Sequence, residues 1–353
     1  MAREVIPGPI VLFGSGEILP PSGKAHEFVA KKVGDPAKIA ILETPAGFEP
    51  NSPQVAGNVG DFLLRRLQNY HPEIHIIPAR KKGTDFSPDD HALLEPMLTA
   101  GWVFMGPGSP TYAVKELRNS LALEYLVGMH RLGTPISLAS AAILALSAQT
   151  LPVYEIYKVG EDLHWKKGLN FFEPYGFDLI FVPHWNNTDG GDELDTSHCY
   201  MGKNRFEQLL NLLPDRYQIV GIDEHTSLVL DFKDGCARVM GNGKVTILNG
   251  TEEKIYATGD NFSFEVLGEY RLPPVNELVR PDVLQQLSVS RMRKAEPDNG
   301  VPADIQALVK QRETARQTKD WTKADQLRNE IRESGWTVQD TPDGPVIVAN
   351  TSE

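Results

Sequence analysis

The sequence predicts an α/β protein: a parallel sheet covered by helices on both faces, an antiparallel extension, and a small helical hairpin at the C-terminal end. Three observations predict it. Five short apolar runs within the first 140 residues alternate with helical stretches. Further β-type runs separated by Asp-Gly and Asn-Gly follow residue 218, and two helically spaced apolar stripes follow residue 303.

Ile10-Val11-Leu12-Phe13 ends at Gly14-Ser15-Gly16, and Lys38 to Leu42 ends at Thr44-Pro45-Ala46-Gly47. Glu73 to Ile77 ends at Pro78, Trp102 to Met105 at Gly106-Pro107-Gly108, and Thr134 to Ala139 at Ser140. Helix candidates lie between them, such as Asp61 to Leu67 and Ala113 to Leu117. Near-continuous apolar strands alternating with helices indicate a sheet buried on both faces. Right-handed crossovers bring every strand's carboxyl end to one edge, where ligands bind. Gly14, Gly47, Gly108 and Ser140 should therefore share a rim.

Beyond Leu151 the pattern changes. Pro152 to Gly160 alternates like a half-exposed strand, Phe177 to His184 reads as a strand ending in histidine, and Lys203 to Leu213 as a helix. Runs at 219–222, 227–232, 237–240 and 245–248 are separated in part by Asp234-Gly235 and Asn242-Gly243, both hairpin signals. Residues 1–270 form the predicted main domain, and the Pro-rich stretch 271–300 reads as a linker. In 301–353, Ile305, Leu308 and Val309 make one helical stripe; Trp321, Ala324, Leu327 and Ile331 make the next, stopped by Gly335. Thr341-Pro342-Asp343-Gly344 then suits a turn between two short strands.

Composition bounds the function. With 41% hydrophobic and 23% charged residues, the 353-residue chain has the balance of a globular protein. A net charge of −12 argues against broad, sequence-independent binding to nucleic acid or anionic membrane. Two cysteines, Cys199 and Cys236, are too few for a disulfide framework. The first apolar run, Ile10 to Phe13, is too short for a signal peptide or a membrane span, so the chain reads as cytoplasmic.

Ser140 carries the chemical signal. A serine on a sharp strand-to-helix turn, flanked by small residues, exposes its hydroxyl at the sheet tip, as hydrolase nucleophiles do. The next backbone N–H groups lie at a helix N-terminus and can hold an oxyanion. A serine there also serves as an ordinary helix cap. A hydroxyl needs a base to take its proton, and His184 ends a strand on the same predicted rim. A carboxylate must orient that imidazole. Glu155 fits a Ser–acid–His chain order, and Glu161 and Asp162 are rivals. Gly108 and Ala141 are the expected oxyanion donors. Cys199 is a rival nucleophile without an elbow. The polar loop His184 to Gly191 includes Asn186 and Asn187, candidate substrate contacts. His184, Asp189, Asp192 and His198 match no standard metal spacing, so no metal is expected. Gly14-Ser15-Gly16 lacks the rest of a nucleotide fingerprint.

The Gly106-Pro-Gly-Ser-Pro loop, Ser140-Ala141-Ala142, His184 and the run Gly221-Ile-Asp-Glu-His-Thr-Ser227 together resemble the aspartyl dipeptidase and cyanophycinase family of serine peptidases. The resemblance covers roughly residues 8 to 250. It implies a three-layer, flavodoxin-like fold of the class I glutamine-amidotransferase type. It also implies a Ser140–Glu155–His184 arrangement, an oxyanion site at Gly108 and Ala141, and no cofactor. Peptides with aspartyl units on the acyl side are the implied substrates, with Arg205 as the carboxylate contact. The family pattern is Gly-x-Ser-Ala-Gly; here it reads Leu138-Ala139-Ser140-Ala141-Ala142, with both glycines replaced. Amidotransfer from glutamine is disfavoured, because that chemistry wants cysteine at the elbow.

Ala315 to Arg332, followed by Asp340-Thr-Pro-Asp-Gly, is similar to the C-terminal helical segment of cysteinyl-tRNA synthetases. The synthetase ATP-site signatures are missing, so aminoacylation is not implied. Holding tRNA, pairing two copies as a homodimer, and docking on the main domain are roles open to the segment, and a packing module is the simplest reading. The competing view of the whole chain is a binding protein without catalysis, with a small acidic ligand on the rim and tRNA or a protein partner on the tail.

Overall fold

The predicted strands form as β1 (Ile10–Phe13), β2 (Lys38–Leu42), β3 (Glu73–Ile77), β4 (Trp102–Met105) and β5 (Ile136–Ala139). The computed structural model describes residues 5–277, 279–295, 302–341 and 344–350. The five strands are parallel and lie in the order β3-β2-β4-β5-β1. Every residue of β1, β4 and β5 is buried. Alternate residues enter different cores: Leu12, Met105 and Leu138 one, Val11, Phe13 and Phe104 the other. A strand covered on both faces has no polar side, which is why these runs are continuously apolar.

The antiparallel extension forms on the free edge of β1. Thr226–Asp231 pairs with β1, followed by Cys236–Gly241 and Asn261–Ser263. Asp234-Gly235 makes the expected hairpin between the first two. Asn242-Gly243 does not, because the strands on either side of it lie in different sheets. Gly241, at φ 112, lets the chain swing away. The Gly243 and Lys244 N–H groups then donate to Thr226 Oγ1 (2.9 Å) and Asp223 Oδ2 (3.0 Å). Lys244–Asn249 thereby enters a second, four-stranded sheet with Glu252–Ala257, Gln218–Ile222 and Leu179–Val182.

Two expectations are corrected. Pro152 to Gly160 is not a strand: it is helical and contains a π-turn, Glu155–Val159. Its buried apolar residues Val153 and Ile156 are three apart, a helical spacing. The stretch read as a linker carries a helix, Pro281–Ala295. Val279, Val283 and Leu287, four apart, bury in the main core with Tyr125 and Met129. Arg131 Nη1 donates to the carbonyls of Pro274 and Glu277, each at 2.7 Å. Residues 278 and 296–300 of that stretch lie outside the described residues. The chain accordingly divides into units Met1–Arg291 and Met292–Glu353.

The second unit contains helices Ala303–Gln317 and Trp321–Glu333 and the antiparallel strands Trp336–Thr341 and Gly344–Ala349. Ile305, Val309, Ile331 and Val338 form its core. Trp321 is 58% exposed, so it does not join the expected stripe: as the first helical residue it precedes the turns that face the core. Buried Arg312 grips Asp340 with both terminal nitrogens, at 3.0 Å each, tying helix to hairpin. Pro342 and Asp343 of the expected turn lie outside the described residues.

Two buried histidines cost the first unit stability in acid. Burial lowers His26 from 6.5 to about 4 and His130 to about 3. His26 Nε2 bonds the Glu17 carbonyl at 2.7 Å, whereas neither His130 ring nitrogen has a hydrogen-bond partner among the described residues. The unfolded chain takes up protons at these sites as pH falls below 6.5, while the folded chain does not. Stability is therefore lost between pH 6.5 and the depressed values, on the order of 3 kcal/mol per site. His130→Leu should retain more of its melting temperature at pH 5 than the wild type does, each relative to pH 7. Equal losses in circular dichroism melts would overturn this assignment.

Candidate active site

β5 ends at Ser140, the cap of the helix Ala141–Leu146. Its backbone sits at φ 49, ψ −109, a region costing a non-glycine residue about 1–3 kcal/mol. The conformation is fixed from both sides. The Ser140 N–H donates to the Phe13 carbonyl (3.2 Å), and the Ile143 N–H donates to the Ser140 carbonyl (3.0 Å). Leu138 and Ala142, which replace the two glycines, are both fully buried in the main core. The elbow therefore forms without them.

His184 follows strand Leu179–Val182, also at positive φ (53°), and its N–H donates to the Gly14 carbonyl at 3.1 Å. The ends of β1, β5 and this strand are thus joined. Ser140 Oγ lies 2.9 Å from His184 Nε2. His184 Nδ1 lies 2.8 Å from Glu224 Oε1. A carboxylate only accepts, so Nδ1 carries a proton, and in the neutral ring Nε2 is free to accept from the serine. Glu224 stands two residues beyond strand Gln218–Ile222. The hydrogen bond from His184, joined by one from Asn187 Nδ2 (3.0 Å), holds its carboxyl below the usual range against the opposing effect of burial.

The carboxylate beside His184 is therefore Glu224, not Glu155. Glu155 Oε1 instead accepts from Thr111 Oγ1 (2.5 Å) and Lys166 Nζ (3.3 Å). Glu161 Oε2 faces His164 at 3.6 Å, and the Asp162 carbonyl bonds that ring's Nδ1, so neither replaces it. Asn186 and Asn187 hold the acid: Asn186 Oδ1 accepts the Glu224 N–H at 2.7 Å. That position answers the expected substrate contact, since those side-chain atoms are engaged with Glu224. The Arg205 guanidinium donates to the carbonyls of Met201 (2.6 Å) and Tyr200 (2.9 Å), so it braces the loop after His184. Burial, with the nearby Glu224 charge, pushes the Cys199 thiol up to about 12, which makes it a poor nucleophile. His198 packs on Trp185 and Phe206, and Asp189 accepts from Tyr200. Among the described residues no group of three or more His, Cys, Asp or Glu could hold a metal.

Ser140 and His184 open on a cavity of about 320 Å³, which Gly108 and Ala141 also line. Gly108 has φ +147, and a Cβ there would lie 2.1 Å from the Pro45 carbonyl oxygen. Only glycine fits this approach. For the oxyanion role expected from the sequence, Gly108→Ala should displace the loop and lower kcat about 100-fold, the effect of losing one such donor. Unchanged kcat in a variant that still folds would remove Gly108 from that role.

Comparison with known proteins separates the two units. The fold resembles the crystal structure of a peptidase from an acI-B1 Actinobacterium, with TM-score 0.60, 21% identity, and coverage of 74% of this chain and 99% of that one. Residues 298–345 match the family model for the cysteinyl-tRNA ligase anticodon binding domain. Over 41 residues the chain is 51% identical to the cysteine–tRNA ligase of Lactobacillus helveticus, covering 12% of this chain and 9% of that protein. Over 47 residues it is 47% identical to that of Methanosarcina mazei, covering 13% and 10%. The chain thus spans about a tenth of the length of these curated relatives. Among the described residues, no helix is long and apolar enough to cross a membrane.

Proposed function

We propose that the protein is a serine hydrolase that cleaves short peptides. The observation that carries this reading is the hydrogen-bonded line Ser140 Oγ–His184 Nε2–Glu224 Oε1 at 2.9 and 2.8 Å, at the mouth of a cavity. His184 takes the serine proton as Oγ attacks the scissile carbonyl, and Glu224 supports the imidazolium. The Gly108 and Ala141 N–H groups hold the oxyanion. His184 then protonates the leaving amine, and water, deprotonated by the same ring, releases the acyl group. The peptidase with the similar fold supports a peptide substrate. Arg205, the contact expected for an aspartyl carboxylate, is held by two carbonyls instead. The test is a fluorophosphonate probe: mass spectrometry should locate the adduct on Ser140, and labelling should be lost in His184→Ala. Absence of any adduct on the folded wild type would sink the reading.

The match at residues 298–345 favours a tRNA-contacting role for the second unit. The full chain should then shift tRNA on a native gel at low salt, and the shift should weaken steeply with added salt. No shift at micromolar protein would leave the unit as a packing module.

A further inference from the structure

The mechanism leaves most of the cavity wall unused. Tyr154, Tyr157 and Lys158 reach it from one short segment around the π-turn Glu155–Val159. Such turns are uncommon and recur at functional sites. Tyr157 packs on Tyr200 (ring centres 5.6 Å apart), and Tyr200 on the His184 ring (5.7 Å). Phe48, 47% exposed, lies 6.5 Å from Tyr154 and continues the aromatic surface outward. Lys158 Nζ sits 4.5 Å from the centre of the Tyr154 ring. Among the described lining residues it is the sole lysine or arginine.

This wall is anchored to the catalytic loop. Glu155 accepts from Thr111, whose Oγ1 lies 3.1 Å from Ser109 Oγ, and Ser109 caps the helix that follows Gly108. A surface of aromatic rings gains most when another apolar group covers it. A lone ammonium beside that surface suits one carboxylate.

We propose that the cavity selects short peptides carrying an aromatic side chain against Tyr154, Tyr157 and Tyr200 and a free C-terminal carboxylate at Lys158, so that aromatic dipeptides outrank aspartyl ones. This rests on the serine hydrolase reading. One peptide bond is broken, with water supplying OH to the acyl product and H to the amine.

The experiment measures kcat/KM on the full chain for Ala-Phe, Phe-Ala, Ala-Phe-amide, Ala-Ala and Asp-Leu. At least one Phe dipeptide should exceed Asp-Leu by about tenfold or more, a typical span for side-chain discrimination. Amidation of Ala-Phe should cost roughly tenfold in the wild type and little in Lys158→Gln, with Lys158→Arg restoring the difference. Tyr154→Ala should weaken the Phe substrates more than Ala-Ala. A faster Asp-Leu, or an amide cleaved as well as the acid, overturns the inference while the serine reading stands. Calorimetric binding of the same peptides keeps the two separable. If Ser140 is never labelled yet Ala-Phe binds more tightly than its amide and Asp-Leu, catalysis fails and the selectivity survives. If no peptide is cleaved and none binds, the inference fails.

Discussion

Ser140→Ala should lower kcat/KM on any cleaved peptide by roughly a thousandfold or more, with the fold and melting temperature almost unchanged. The size follows from the proposed mechanism, in which Ser140 Oγ is the atom that forms the acyl bond: members of such a triad act as a unit, so losing one abolishes most of what all supply. The small structural effect follows from where the residue's interactions lie. Ser140 is fixed by backbone groups, through the Phe13 carbonyl and the Ile143 N–H, and alanine keeps both. Its hydroxyl bonds only the ring of His184 in the described contacts. Alanine at φ 49 is as strained as serine, so the elbow itself contributes no difference. The measurement is steady-state kinetics beside a thermal melt. Equal turnover by both proteins would show that another group performs the attack.

The sheet was legible because its strands are buried on both faces. β1, β4 and β5 carry no polar alternation that a helix could mimic, and each ends at glycine or serine, where the chain must turn at the rim. Parallel pairing then followed from the helices between them. The second sheet was less legible. Gln218–Ile222 and Lys244–Asn249 look like members of the hairpin series, and only the capture of Gly243 and Lys244 by Thr226 and Asp223, far apart in sequence, sends the chain elsewhere. The helix over Pro281–Ala295 was hidden by flanking prolines and charges, although Val279, Val283 and Leu287 kept a four-residue stripe.

The approach of Ser140 to His184 was readable from one rule, that the loops at strand carboxyl ends meet on one rim. Glu224 obeys the same rule, just past Ile222, and the run containing it was already part of the family resemblance. Assuming the order serine, acid, histidine directed attention to Glu155 instead. Orders differ among folds that build the same geometry, so order was the weaker guide. The tight loop Gly106-Pro107-Gly108 was visible because the close approach of Gly108 to Pro45 demands glycine there. Arg205 was not predictable from composition: a guanidinium contacts substrate or braces a loop depending on which carbonyls lie nearby, and here two from its own loop do.

Glu224→Gln and Glu155→Gln together separate the two carboxylates. Glutamine at 224 retains shape but loses the charge that favours imidazolium, and its amide can donate as well as accept, so it can stabilise the wrong His184 tautomer. A comparable acid-to-amide exchange in another triad reduces kcat by about 10⁴-fold, and a fall of roughly 10³ to 10⁴ is expected here. Fluorophosphonate labelling of Ser140 should slow in parallel, since the probe also needs the deprotonated hydroxyl. Glu155→Gln should leave labelling near the wild-type rate. Its carboxyl accepts from Thr111 and Lys166, and these bonds, against burial, keep it below the ordinary carboxylate range. An amide keeps an acceptor for Thr111 but loses the ion pair with Lys166, so the aromatic wall loosens and KM rises while kcat changes little. The pH profiles add a sign. Because Glu224 is held low, its charge persists as pH falls through the usual carboxylate range, so a loss of activity there does not come from protonation of Glu224. A Glu155→Gln variant with the larger kcat loss, beside a near-normal Glu224→Gln, would return the orienting role to Glu155 and make the 2.8 Å contact at His184 incidental.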